Sequence, residues 1–245
     1  MIWLRSALFG AWFYGLTVVF CLVAPVAWLF GVPGVRRYSR TWARLALAGL
    51  RVCCGITWEV TGLEHLPREG PALLASQHQS AFDTLLWVVL APRFSYVLKR
   101  ELTRIPLFGQ TLRRAGMIPV DRAAGAAALR ALLRGADAAV ADQRQVVIFP
   151  EGTRVAPGAR HRLHPGVAAL AARMRLPVIP VVTDSGEHWG RRAFRKQPGV
   201  IRVAILPPLP VDLPREALLE RLAAIYAAGV PDPVENSVGE AAGRL

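Results

Sequence analysis

The chain has 245 residues, enough for one sizeable core and an appendage. Hydrophobic residues make up 53% of it and the formal net charge is +13, with Lys99 and Lys196 the only lysines among 30 basic side chains. Such a surface suits nucleic acid, anionic lipid or a phosphorylated substrate, but no zinc-finger spacing or RNA-binding aromatic motif is present, which argues against nucleic acid. Cys21, Cys53 and Cys54 form no metal-ligand spacing, and adjacent cysteines are a poor disulfide pair. A reducing, cytoplasm-facing domain is the simplest inference.

From Ser6 to Phe30 no residue is charged. The run is long enough to cross a bilayer core as a helix. It is too long for a signal-peptide core, and no A-x-A-like site follows it. A hairpin entering and leaving one leaflet remains an alternative. Beyond Gly31-Val32-Pro33-Gly34, Arg37, Arg40, Arg44 and Arg51 fall within about 60° of one another on a helical wheel. Tyr38, Trp42, Leu45, Gly49 and Val52 share a separate arc. This is the pattern of a basic amphipathic helix at a membrane surface; a helix packed on its own domain with a solvated arginine face has the same pattern. The arginines place this side of the apolar segment in the cytoplasm. Residues 1–54 therefore read as a membrane-anchoring helical region.

Residues 55–228 alternate strands and helices. Strands are predicted at 57–61, 72–76, 95–98, 117–120, 145–149, 178–182 and 201–205, and helices at 81–90, 105–115, 124–142, 164–174 and 215–228. The fold class is α/β: a mostly parallel sheet flanked by helices, with an N-terminal membrane-associated helical segment. Residues 229–245, rich in Pro, Gly and polar side chains, read as a loosely ordered tail.

Within Ser76-Gln77-His78-Gln79-Ser80-Ala81-Phe82-Asp83-Thr84, a histidine and a carboxylate stand five residues apart. Five helical residues rotate by about 140°, so the two side chains meet only if His78 lies in a turn and Asp83 in the first turn of the following helix. Ser80-x-x-Asp83 fits a capping box with Ser80 as N-cap. The pair can be a base and its orienter, or Asp83 can simply cap the helix beside a loop histidine. Lys99 opens a second block that runs through Ile105-Pro106-x-x-Gly109 to Gly116-Met117-Ile118-Pro119-Val120-Asp121-Arg122. A third is Phe149-Pro150-Glu151-Gly152-Thr153-Arg154, and a fourth is Leu176-Pro177-Val178-Ile179-Pro180-Val181, followed by Asp184-Ser185-Gly186. Arg122 and Arg154 each follow a strand end, and with Lys99 they would suit a phosphate, since guanidinium binds phosphate in bidentate fashion. Taken singly, each is equally an ordinary surface charge.

In this order and spacing, over Gly55–Arg191, the four blocks resemble the glycerolipid acyltransferase family. The resemblance implies that His78 is the general base and Asp83 its orienting partner. Lys99, Arg122, Glu151, Gly152, Thr153 and Arg154 would bind the phosphate-bearing substrate. The implied reaction moves an acyl group from acyl-CoA or acyl carrier protein to the free hydroxyl of lysophosphatidic acid, giving phosphatidic acid, with no metal and no cofactor beyond the thioester co-substrate. The implied partners are membrane lipids, lysophosphatidic acid and the thioester donor, and the implied location is a bacterial inner membrane with the catalytic domain facing the cytoplasm. Other acceptors (a lyso-ornithine lipid, another lysophospholipid, glycerol 3-phosphate) fit the same pattern. A non-catalytic lipid-binding protein on the same fold is disfavoured by the intact His78 and Asp83, and a serine hydrolase by the missing G-x-S-x-G elbow. His164-Pro165-Gly166 departs from the family pattern, and His161 and His188 read as surface histidines.

Overall fold

A computed structural model of the chain describes residues 1–91 and 93–231, so most of the expected 229–245 tail lies outside the described residues. Seven strands form one sheet: β1 (Ile56–Thr61), β2 (Ala72–Ser76), β3 (Phe94–Lys99), β4 (Ile118–Val120), β5 (Gln145–Ile148), β6 (Val178–Thr183) and β7 (Gly199–Ile205). Their order is β1-β7-β6-β2-β5-β3-β4. Strands β2 to β6 are mutually parallel, whereas β7 runs antiparallel to β6 and parallel to β1. The sheet is thus mostly parallel with a reversed edge, and the helical segments fall between strands as expected.

Parallel strands covered on both faces read as continuous apolar runs, not alternating ones, and β2 is buried at every position. Leu74 points into the core beneath α2 (Gly31–Cys54) and α3 (Ala81–Leu90). Leu73 and Ala75 point into the opposite core, beneath α5 (Ala126–Ala141), α6 (Gly166–Met174) and α8 (Arg215–Ala228). Helix α3 is apolar around most of its circumference because it is enclosed, with Phe82, Leu85, Leu86 and Trp87 all buried. Fully burying each such side chain is worth about 1.5–3 kcal/mol. The Trp87 indole N–H donates to Ser76 Oγ (3.1 Å), tying α3 to the strand that precedes it.

Helix α1 (Ile2–Trp28) runs through Pro25 and packs along α2. The contacts span its length. Arg5 Nε donates to Cys53 O, Trp12 Nε1 to Leu45 O, Trp42 Nε1 to Thr17 Oγ1 and the Tyr38 hydroxyl to Phe20 O. At the far end Trp28 Nε1 donates to Thr111 of α4 (Phe108–Arg114). Gly49 admits the Trp12 ring where a Cβ would overlap it. Tyr38, Trp42 and Gly49 of the arc expected to face lipid are therefore turned towards α1, while the side chains of Leu45 and Val52 are exposed. The outward apolar surface belongs to α1 instead, through Leu4, Leu8, Val18, Val19, Leu22 and Val26. The arginine arc is as expected at Arg37, Arg44 and Arg51, which are exposed, while Arg40 is half-buried.

Candidate active site

The carboxyl ends of the parallel strands point one way, the usual position for a site in such sheets. His78 lies in the turn after β2, and Ser80 caps α3: its Oγ accepts the Phe82 N–H (3.1 Å) and Asp83 Oδ2 accepts the Ser80 N–H (2.8 Å). Because this places Asp83 in the first helical turn, His78 Nδ1 comes within 2.9 Å of Asp83 Oδ2. Both roles weighed for Asp83, cap and partner of the histidine, are filled by the same oxygen. That oxygen also accepts the Gln79 N–H (2.8 Å), so it acts as an acceptor throughout, and Nδ1 must donate. The tautomer leaves His78 Nε2 with a lone pair.

Asp83 is 3% exposed, and its other oxygen accepts the hydroxyl of Ser185 (2.6 Å), which is itself fully buried. Ser185 opens the one-turn helix α7 (Ser185–His188) and is fixed in turn by its N–H to Thr183 Oγ1. The same corner grips the histidine loop twice more. Gln79 Oε1 accepts the Gly186 N–H (3.0 Å), and Gln77 Oε1 accepts the Thr183 N–H (3.2 Å). No sequence-local signal links Ser185 to Asp83, 102 positions away. Its place directly after the fourth block was the available hint.

Phe149 stacks on the His78 ring (centroids 4.1 Å) and Tyr96 stacks on Phe149 (6.2 Å), a slab that holds the imidazole from one side. The third block follows β5 and turns at Gly152, whose φ of 70° favours a residue without a Cβ. Glu151, expected to bind substrate, has an internal partner. Its carboxyl is buried beneath the loop and accepts the His78 backbone N–H (2.6 Å). Burial and the nearby Asp83 charge push its pKa up to about 8, outweighing the hydrogen bond from His78, so near neutrality it is largely the protonated acid. His188, expected at the surface, is half-buried and its Nδ1 bonds Gln197 O (3.1 Å).

A cavity of about 910 Å³ opens beside His78. Lys99, Gly152, Thr153 and Arg154 line it, together with Arg191, Arg192 and Lys196 beyond α7. One wall is apolar and comes from Phe9, Phe13, Phe20 and Ala24 of α1 with Tyr38 and Trp42 of α2. Four of the six expected substrate-binding residues thus border one space with His78, while Asp83 lies buried behind it. Glu151 sits beneath the loop, and the side chain of Arg122 lies outside the described residues, its backbone forming a short turn after β4.

A histidine whose proton is fixed on one nitrogen by a buried carboxylate, set in a cavity with cations and one apolar wall, is the equipment of an enzyme that activates a lipid hydroxyl. Comparison with known proteins names the class. The sequence model of the family described as Acyltransferase matches residues 57–184. The chain is 38% identical over 170 residues to a 1-acyl-sn-glycerol-3-phosphate acyltransferase of Pseudomonas aeruginosa, covering 69% of this chain and 66% of that one. It is 30% identical over 210 residues to the human 1-acyl-sn-glycerol-3-phosphate acyltransferase alpha, covering 85% of this chain and 72% of that one. The crystal structure of the 1-acyl-sn-glycerophosphate (LPA) acyltransferase PlsC from Thermotoga maritima superposes with a TM-score of 0.76 over 93% of this chain and 95% of that one, a likeness of fold at 20% identity. The chain belongs to the acyltransferase family. It spans about two thirds of the length of the bacterial relative it matches.

Proposed function

We propose that this protein transfers a fatty acyl group from a thioester donor to the free sn-2 hydroxyl of lysophosphatidic acid, giving phosphatidic acid. The reading is carried by the His78–Asp83 pair opening onto a cavity that is cationic at Lys99 and Arg154 and apolar along α1. His78 Nε2 takes the hydroxyl proton as the oxygen attacks the thioester carbonyl carbon. The C–S bond then breaks, and the imidazolium returns the proton to the departing thiolate. Asp83 keeps the ring in the required tautomer and stabilises it while it is charged. The acceptor hydroxyl stands where a serine nucleophile would, so no acyl-enzyme forms. Arg154, next to Val155 whose N–H donates to His78 O, is near enough to hold the acceptor's phosphate. No cofactor beyond the donor is required by this scheme.

The outward face of α1 supports insertion into a membrane, and we place it in one leaflet rather than across the bilayer. The helix, about 40 Å long, is bonded to the rest of the protein from Arg5 to Trp28. Spanning a hydrocarbon core of about 30 Å would drag the catalytic domain into lipid. With Arg37, Arg44 and Arg51 at the headgroups, the domain lies on the cytoplasmic side of the inner membrane.

The test is His78→Ala, purified in detergent and offered lysophosphatidic acid with acyl-CoA and acyl carrier protein donors. A loss of about 10²–10⁴ in kcat is expected; wild-type turnover by the folded variant refutes the base. A wild-type preference for glycerol 3-phosphate or another lyso-lipid would transfer the same chemistry to that acceptor.

A further inference from the structure

Resting on that reading, the geometry points to a second phosphate site, formed by Arg191 and Arg192, that takes the phosphates of a coenzyme A-type acyl donor. In the sheet, His78 follows β2. Arg154 follows the neighbouring β5, while Arg191 and Arg192 lie in the loop that feeds β7, two strands away on the other side. At about 4.8 Å per strand, β7 lies roughly 10 Å from β2. The cavity reaches both sides.

The two substrates differ in how far their phosphates stand from the reacting atoms. The acceptor's phosphate is separated from its hydroxyl by a few bonds, which suits Arg154 beside the histidine. The donor's phosphates stand a pantetheine arm away from the thioester, which suits the more distant pair.

The loop carrying that pair is built to hold a shape. Gln197 N–H donates to His188 O (2.8 Å) and His188 Nδ1–H to Gln197 O (3.1 Å), clasping its two ends. Trp189 packs edge-on against Phe9 (5.2 Å). Lys196 is used internally: its Nζ donates to Phe194 O (2.8 Å) and its backbone N–H to Ser6 Oγ (3.0 Å). Arg191 and Arg192 remain exposed on the cavity wall, and among the described residues neither has an acidic partner. Arg192 holds a φ of 57°, a costly conformation for a residue with a Cβ that the clasped loop maintains.

The experiment is the double variant Arg191→Gln/Arg192→Gln, with Arg191→Lys/Arg192→Lys beside it, assayed with oleoyl-CoA and with the phosphate-free oleoyl thioester of N-acetylcysteamine. The KM for oleoyl-CoA should rise about tenfold to a hundredfold in the glutamine variant and less in the lysine variant, as loss of charge-assisted hydrogen bonds predicts. The KM for lysophosphatidic acid and the rate with the truncated thioester should stay at wild type. Calorimetric binding of coenzyme A alone should weaken likewise, and this reads the site independently of which lipid is acylated. Equal losses with both donors, or a raised acceptor KM with donor KM unchanged, would overturn the proposal. So would weaker binding to phosphatidylglycerol vesicles with coenzyme A binding intact, which would assign the arginines to lipid headgroups.

Discussion

Replacing Asp83 with asparagine separates charge from geometry at this site. The carboxylate accepts the Gln79 and Ser80 N–H groups and His78 Nδ1 on one oxygen and the Ser185 hydroxyl on the other. An asparagine that keeps its oxygen towards the three N–H donors retains the cap and the histidine contact, and its NH2 meets Ser185 Oγ, which can turn to accept. What disappears is the negative charge opposite the imidazolium formed during transfer. With charge centres about 4 Å apart and an effective dielectric constant of about 20, that attraction is about 4 kcal/mol. The usual worth of a charge-assisted hydrogen bond, about 1.5–3 kcal/mol, sets a lower figure. At about 1.4 kcal/mol per decade, kcat should fall about 10–10³-fold. The assay is steady-state acyl transfer in mixed micelles, run beside thermal unfolding of Asp83→Asn and Asp83→Ala. Asp83→Asn should unfold close to wild type, and Asp83→Ala, which strips the cap, well below it. An Asp83→Asn enzyme within threefold of wild-type kcat would refute the electrostatic role.

Ser185→Ala should lower kcat about tenfold to a hundredfold with KM for the acceptor unchanged, because Asp83 loses a hydrogen bond to a charged group worth about 1.5–3 kcal/mol; unchanged kcat would leave Ser185 without a positioning role. Glu151 gives a pH dependence of definite sign. An acid whose pKa is raised by folding stabilises the fold in its protonated form, so the contribution is complete below the unfolded value of 4.5 and is lost as pH rises through about 8. Glu151→Gln stays neutral and keeps an acceptor for His78 N–H, so its Tm should match wild type at and below about pH 4.5 and exceed it increasingly up to about pH 8, where the gain corresponds to stability on the order of a few kcal/mol; parallel Tm curves would contradict this. Gly109 lets α4 approach the Thr103 carbonyl where a Cβ would overlap backbone. Gly109→Ala should therefore cost about 1–3 kcal/mol, read as a Tm loss of several degrees, and an unchanged Tm would show that the helix simply shifts.

The elements most legible in the sequence are those set by neighbouring residues. Strand β2 and helix α3 appear at the residues expected, because a continuous apolar run, a serine cap and an apolar helix leave little choice there. The His78–Asp83 contact followed from the same capping geometry. Contacts between distant segments were hidden. Nothing near Ser185 indicates that its hydroxyl reaches Asp83, and nothing near Glu151 indicates that its carboxyl turns inward to the His78 backbone. The aromatic arc of α2 was visible as an arc, but a helical wheel records a face and not its partner. Lipid and α1 satisfy the same residues equally well in sequence, and the structure gives most of that arc to α1.

Helix α1 meets three surroundings at once: α2 on one side, the substrate cavity on another, and open space on the third. Trimming residues 1–28 to obtain a water-soluble enzyme would therefore remove part of the apolar wall of the cavity beside His78, not merely a tether. In this fold the most lipid-like helix and the wall of the cavity beside His78 are the same element.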